Sequence, residues 1–194
     1  MDAEKFIIDS LTESSEVKLK IAETCKNEIL KSIDLIVTAY QNGNKVLFCG
    51  NGGSAADSQH LAAEFMVRLS HDISRQALGA IALSTDTSFL TAGGNDIGFD
   101  NIFARAIEGL GKKGDILIAI STSGNSINVI KAVEKAKELG LFSIGFLGGA
   151  GGKLKSLVDI PITIPSNSVQ RIQEGHITIG HIICEAVERK LFVK

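Results

Sequence analysis

"KVLFCGNGGSAADSQHLAAEF", residues 45–65, decides the fold. An apolar run of strand length, 45–50, meets a glycine cluster, and a helical stretch at 54–69 begins directly behind it. The same kind of unit recurs downstream. "LGAIAL" (78–83), "DILIAI" (115–120), "LFSIGFL" (141–147) and "DIPITI" (159–164) are further short apolar runs, each ending at Gly, Ser, Thr or Pro. Helical stretches at 126–139 and 168–191 accompany them. Strands apolar on both faces and separated by helices predict a parallel sheet covered on both sides. With right-handed crossovers, the expected class is α/β, a three-layer α/β/α sandwich around a five-stranded parallel sheet. The order of the strands is not legible in the sequence.

The chain upstream of residue 45 reads as helix. In "SEVKLKIAETCKNEILKSIDLIVTAYQNG" (15–43), Val17, Ile21, Cys25, Ile29, Ile33 and Ile36 recur at three- or four-residue spacing, and Gly43 supplies a stop. A helix this long needs a surface to cover. It can lie on its own sheet or pair with another subunit, and the wide stripe favours packing of region 1–43 in an oligomer.

At 194 residues with 44% apolar content, the chain fits one domain, 1–194, with one substantial core. A formal net charge of −2 argues against nucleic-acid binding through a broad basic field. No apolar run is long enough to span a membrane. The start "MDAEKFIIDS" lacks a signal-peptide core, so the expected location is cytoplasmic. Cys25, Cys49 and Cys184 have no metal-type spacing and read as reduced, buried thiols.

Open parallel sheets bind ligands at the carboxyl ends of their strands. The loops expected there are 50–54, 84–88, 121–126, 148–153 and 165–168, most of them rich in Gly, Ser, Thr or Asn. "STSGNS" (121–126) opens a helix with hydroxyls at Ser121, Thr122, Ser123 and Ser126, while Gly124 lets a ligand approach the backbone. Such a loop suits a phosphate dianion without any lysine; the plainer alternative is an ordinary helix cap, which needs one such residue. "GNGGSA" (50–55) formally matches a dinucleotide fingerprint, but Asp86 lies too far along to hold a ribose, and no Walker lysine follows any glycine cluster. No nucleotide cofactor is expected. Asn95 and Asp96 form a third polar cluster, for which Asp86 and Asp96 as helix caps are the alternative.

His60 and Glu64 share a helix face, and "IQEGHITIGHIICEAVE" (172–188) adds Gln173, Glu174, His176 and His181. Glu64 and His181 can be an acid–base pair, beside a metal held by imidazole, carboxylate and amide oxygen. Alternatively, His60 and Glu64 are an ordinary surface pair. Gln173 and His181 are eight residues apart, about 12 Å along a helix and about 80° around it. Either that helix is broken, or two subunits contribute, or only one of the two is a ligand. His71 reads as solvated surface.

Four motifs, "GNGGSAADSQHLAAEF", "LSTDTSFLTAGGND", "GDILIAISTSGNSINV" and "RIQEGHITIGHIICEAVE", together resemble the sugar isomerase (SIS) domain family, closely its phosphoheptose isomerases. The resemblance covers essentially the whole chain. It implies a single flavodoxin-like SIS domain preceded by long N-terminal helices, and a homotetramer with active sites between subunits. It implies phosphate contacts at Ser121, Thr122, Ser123 and Ser126, and substrate contacts at Asn51, Gly52, Gly53, Ser54, Glu64, Asn95, Asp96 and Gln173. It also implies zinc at His60, Glu64, Gln173 and His181, with Glu64 and His181 catalytic. The implied reaction converts sedoheptulose 7-phosphate to D-glycero-D-manno-heptose 7-phosphate, for bacterial lipopolysaccharide or capsule. One departure is Gln170, where some members carry an Asp; being neutral, it is left out of catalysis.

The main alternative is a non-catalytic SIS protein that binds the bacterial replication initiator; the presence of both Glu64 and His181 favours catalysis. A sugar-phosphate-sensing regulator would need a DNA-binding segment, and arabinose 5-phosphate isomerases often carry extra domains.

Overall fold

The computed structural model describes residues 1–193; Lys194, the last residue of the expected domain, lies outside them. The helices are α1 (Ala3–Thr24), α2 (Lys26–Gln41), α3 (Gly53–Met66), α4 (Thr87–Asp96), α5 (Ile102–Leu110), α6 (Ile127–Glu138) and α7 (Val169–Phe192). The strands are β1 (Val46–Gly50), β2 (Ala80–Ala82), β3 (Ile116–Ser121), β4 (Phe142–Gly148) and β5 (Ile160–Ile164). They form one parallel sheet in the order β2-β1-β3-β4-β5. The α/β/α sandwich expected from the sequence is the fold observed.

Strand alternation builds two cores. Val46, Phe48, Ile116, Ile118, Ile120, Ile144 and Phe146 face one side, under residues of α1, α2, α3 and α7. Leu47, Cys49, Leu117, Ala119 and Leu147 face the other, under α5 and α6. This double burial is why the strands read as unbroken apolar runs. Strand β2 is shorter than 78–83. It is an edge strand, and the Leu78 N–H leaves the sheet to donate to Phe65 O at 3.1 Å.

At three places the structure adds to what the sequence shows. The N-terminal helical region is two helices, meeting at Cys25, the one residue between them, at φ −112°, ψ −2°. There the thiol donates to Thr163 O at 3.3 Å, tying the junction to β5. The stripe from Val17 to Ile36 is buried in the chain's own core. What stays exposed on α1 is a different set: Phe6, Ile7, Ile8, Leu11 and Leu19. Finally, α4 gives no apolar periodicity because none of its residues is buried. Asp86 is its N-cap, accepting from Phe89 N at 2.9 Å.

Helices α3 and α7 lie side by side and run the same way. Gln173 sits over Gly53, and Gly180 sits against Leu61. A Cβ on Gly180 would lie 2.6 Å from Leu61 Cδ1, so only glycine permits this approach. The neighbouring residue on α7 is His181.

Candidate active site

The close packing at Gly180 brings His181 to α3. His181 Nε2 lies 2.7 Å from His60 Nε2, and Glu64 Oε1 lies 3.3 Å from the same His60 nitrogen. At 2.7 Å the two imidazoles share a hydrogen bond, so one nitrogen donates and the other accepts. The His60 side chain is 48% exposed and Glu64 only 17%. A ligand therefore reaches the cluster from one side, with the carboxylate at its inner wall.

One donor atom from each of His60, Glu64 and His181 falls within 4.8 Å of the other two; among the described residues this is the one such group. Two imidazoles and a carboxylate form the three-ligand set of open catalytic metal sites, so the residues fit a divalent ion of the zinc type. Gln173 does not join them. Helix α7 is unbroken from Val169 to Phe192, which holds Gln173 about 12 Å from His181 along the axis. Its amide fills the space beside Gly53, where a Cβ would lie 1.5 Å from Nε2. Of the three ways out of this spacing problem, a broken helix is removed.

Beside this cluster, Asp57 Oδ2 is buried without a hydrogen-bond partner. Burial pushes the Asp57 carboxyl up to about 6, against the opposing pull of His60. His176 is a different matter. It is fully buried, and its Nε2 pairs with Leu147 O at 3.0 Å, which makes that nitrogen the donor. Burial lowers it to about 4, so it is neutral and structural. His71 is exposed, as expected.

The serine loop lies at the carboxyl end of β3. Ser126 is the N-cap residue of α6, yet its side chain makes no capping bond. Its hydroxyl pairs instead with Ser121 Oγ at 3.0 Å. An ordinary cap therefore does not account for this loop. Thr122 and Ser123 line a cavity of about 270 Å³ with Gly148, Gly149, Ser166 and Asn167. Hydroxyls and a helix N-terminus around a cavity of this size can hold an anion such as phosphate. The loop is braced from below: Gly124 (φ +65°) and Gly152 (φ +56°) cross main chain to main chain, and Leu154 N donates to Gly124 O at 3.0 Å.

The glycine loop is tied to this helix. Asn51 Nδ2 donates to Asn128 Oδ1 at 2.9 Å, and Asn128 Nδ2 donates back to Asn51 Oδ1 at 2.8 Å. The reciprocal pair engages the Asn51 side chain within the protein, leaving backbone as what the loop around Gly52 and Gly53 presents. Ser54 is buried. Asn95 and Asp96 lie exposed at the end of α4, where Asn95 Nδ2 donates to Asp96 Oδ1 at 2.7 Å. Asn128 was not a sequence candidate. Its only sequence signal is its place in the first turn after "STSGNS".

A parallel sheet in this order carries a serine-rich loop at its carboxyl edge and a His–Glu–His cluster between two helices. The chain belongs to the SIS domain family, whose model matches residues 11–148. A phosphoheptose isomerase of Clostridium acetobutylicum is 51% identical over 189 residues, covering 96% of this chain and 95% of that protein. One of Citrifermentans bemidjiense is 56% identical over 166 residues, 86% of this chain and 85% of that protein. Among solved structures, the Francisella tularensis phosphoheptose isomerase superposes with a TM-score of 0.93 at 35% identity, covering 97% of this chain and 100% of that one. The Neisseria gonorrhoeae enzyme gives 0.90 at 39% identity, covering 95% and 98%.

Proposed function

We propose that this chain is a phosphoheptose isomerase, an aldose–ketose isomerase that converts sedoheptulose 7-phosphate to D-glycero-D-manno-heptose 7-phosphate for bacterial heptose biosynthesis. The observation that carries the mechanism is the meeting of Glu64, His60 and His181 across α3 and α7. The high identity of phosphoheptose isomerases over nearly the whole chain supports the substrate.

The reaction moves one hydrogen between C1 and C2. Glu64 takes the C1 proton of the ketose, the electron pair forms the enediol, and Glu64 returns the proton to C2. His181 shuttles the accompanying proton from the C1 oxygen to the C2 oxygen. Ser121, Thr122, Ser123 and Ser126 hold the remote phosphate, whose binding energy orients the reacting carbons. The loop of Asn51, Gly52, Gly53 and Ser54, through its backbone, and Asn95, Asp96 and Gln173 meet the sugar hydroxyls.

A zinc ion would be held by His60, Glu64 and His181, and because a carboxylate tied to a metal is a poorer base, the ligand and base roles of Glu64 compete. When bound, it supplies Lewis-acid polarisation of the substrate oxygens. Gln173 completes this set from a neighbouring subunit, in a homotetramer whose α1 faces, with Phe6, Ile7, Ile8 and Leu11 exposed, supply apolar contact area. The chain works in the cytoplasm as a single domain; no helix among the described residues is long and apolar enough to cross a membrane.

The test is incubation of purified protein with sedoheptulose 7-phosphate, with and without a chelator, followed by detection of the aldose phosphate. Product is expected in the untreated sample. No product under either condition would sink the enzymatic reading and promote binding to a protein partner.

A further inference from the structure

We propose that Arg75 and Glu188 are positioning residues for Glu64, fixing the last turn of α3 in register with the helix that carries His181. Both side chains are fully buried, at 0% exposure. The Arg75 guanidinium makes four hydrogen bonds. Nε donates to Glu188 Oε1 at 2.7 Å, and Nη2 donates to Glu64 O at 2.8 Å while lying 2.6 Å from the same Glu188 oxygen as an ion pair. Nη1 donates to Phe65 O and to Gln76 O, each at 2.9 Å. Glu188 also accepts from Leu69 N and Ser70 N, each at 3.0 Å.

The carbonyls at the end of a helix have no partner within it. Here two of them, those of Glu64 and Phe65, are taken by one rigid plane. One guanidinium donates from Nη2 to the Glu64 backbone and from Nε to a carboxylate of α7. On α7, His181 lies about two turns before Glu188 on nearly the same face. The plane therefore ties the backbone of one acid–base residue to the helix bearing the other. Stability alone is a poor reason for such a pair, since well-packed apolar residues commonly do as well in its place. Directional hold is what a guanidinium fork adds, and lysine cannot reproduce it.

This inference rests on Glu64 as the base. Its test uses Arg75→Lys and Glu188→Gln in the full-length enzyme, assayed well below each variant's unfolding midpoint. The expected kcat falls about 10- to 100-fold, because small misplacements of catalytic groups are costly. KM for sedoheptulose 7-phosphate should stay within about twofold, as the phosphate loop is untouched. The ring NMR signals of His60 and His181 should move while those of exposed His71 stay. A lower midpoint with unchanged kcat per folded subunit and unmoved histidine signals would overturn the proposal. If Arg75→Lys fails to fold, the isosteric Glu188→Gln carries the same readouts; failure of both makes the pair a folding determinant and also overturns it. Near-normal turnover by Glu64→Gln would instead sink the parent reading, and the histidine signals would still report on the clamp.

Discussion

His60 and His181 touch at 2.7 Å, Nε2 to Nε2, across 121 residues of sequence. Glu64, one turn beyond His60, lies within 3.3 Å of the same nitrogen. Glu64→Gln keeps the shape and removes the base of the proposed mechanism. Its kcat should fall about 10²- to 10⁴-fold, the usual contribution of a positioned acid–base group. KM and the protein's elution position should hold. Steady-state kinetics alongside size-exclusion chromatography measures both.

Ser123 is exposed at the serine loop, where its Oγ accepts from Asn125 N at 3.2 Å and remains free to donate. Ser123→Ala should raise KM, and the inhibition constant of inorganic phosphate, by about tenfold, the lower end for a hydrogen bond to a charged group. The kcat should change little. Equal phosphate inhibition in variant and parent would remove Ser123 from the anion site.

Gly53 separates stability from function. It lies outside the left-handed region, and the three atoms nearest to an added Cβ all belong to the Gln173 amide, the movable end of a flexible side chain. Gly53→Ala should therefore leave the melting temperature unchanged or slightly higher, since alanine favours a helix start by up to about 1 kcal/mol. Catalytic efficiency should nonetheless drop, because Gln173 is pushed from its place. A thermal melt paired with kcat/KM tests this.

Acid stability should carry the mark of His176. Burial lowers it to about 4 in the folded chain from an ordinary 6.5, so the unfolded chain binds the extra proton between those values. The neutral ring's contribution, about 3 kcal/mol, is complete above pH 6.5 and is lost as pH falls towards 4. His176→Gln should flatten the slope of unfolding free energy against pH in that window. Asp57, raised to about 6, runs the opposite way and weakens the fold as pH rises. It is common to both proteins and cancels in the comparison, read from urea titrations at several pH values.

The sheet was legible because strands such as 116–120 are buried on both faces and carry little else than Ile, Leu and Ala. Helix α4 was not, having no buried residue to give a period. The break at Cys25 depends on a contact with Thr163, 138 residues away, which local spacing does not encode. The serine loop and the His60–Glu64 pair are local and could be nominated directly. Asn128 pairs with Asn51 and Arg75 with Glu188, 77 and 113 residues distant, and local spacing does not encode those pairings.

The crossing of Gly124 and Gly152 limits how this chain can change. A Cβ on Gly124 would lie 2.0 Å from Gly151 O, and one on Gly152 would lie 2.5 Å from Ser123 O. Both obstructions are main chain, so no side-chain replacement elsewhere makes room. Departure from glycine is closed at each position separately, and loss at one is not rescued by change at the other. The hydroxyls and amides around the cavity can drift and retune what it holds, while the contour of the cradle passes unaltered to every descendant sequence that still folds.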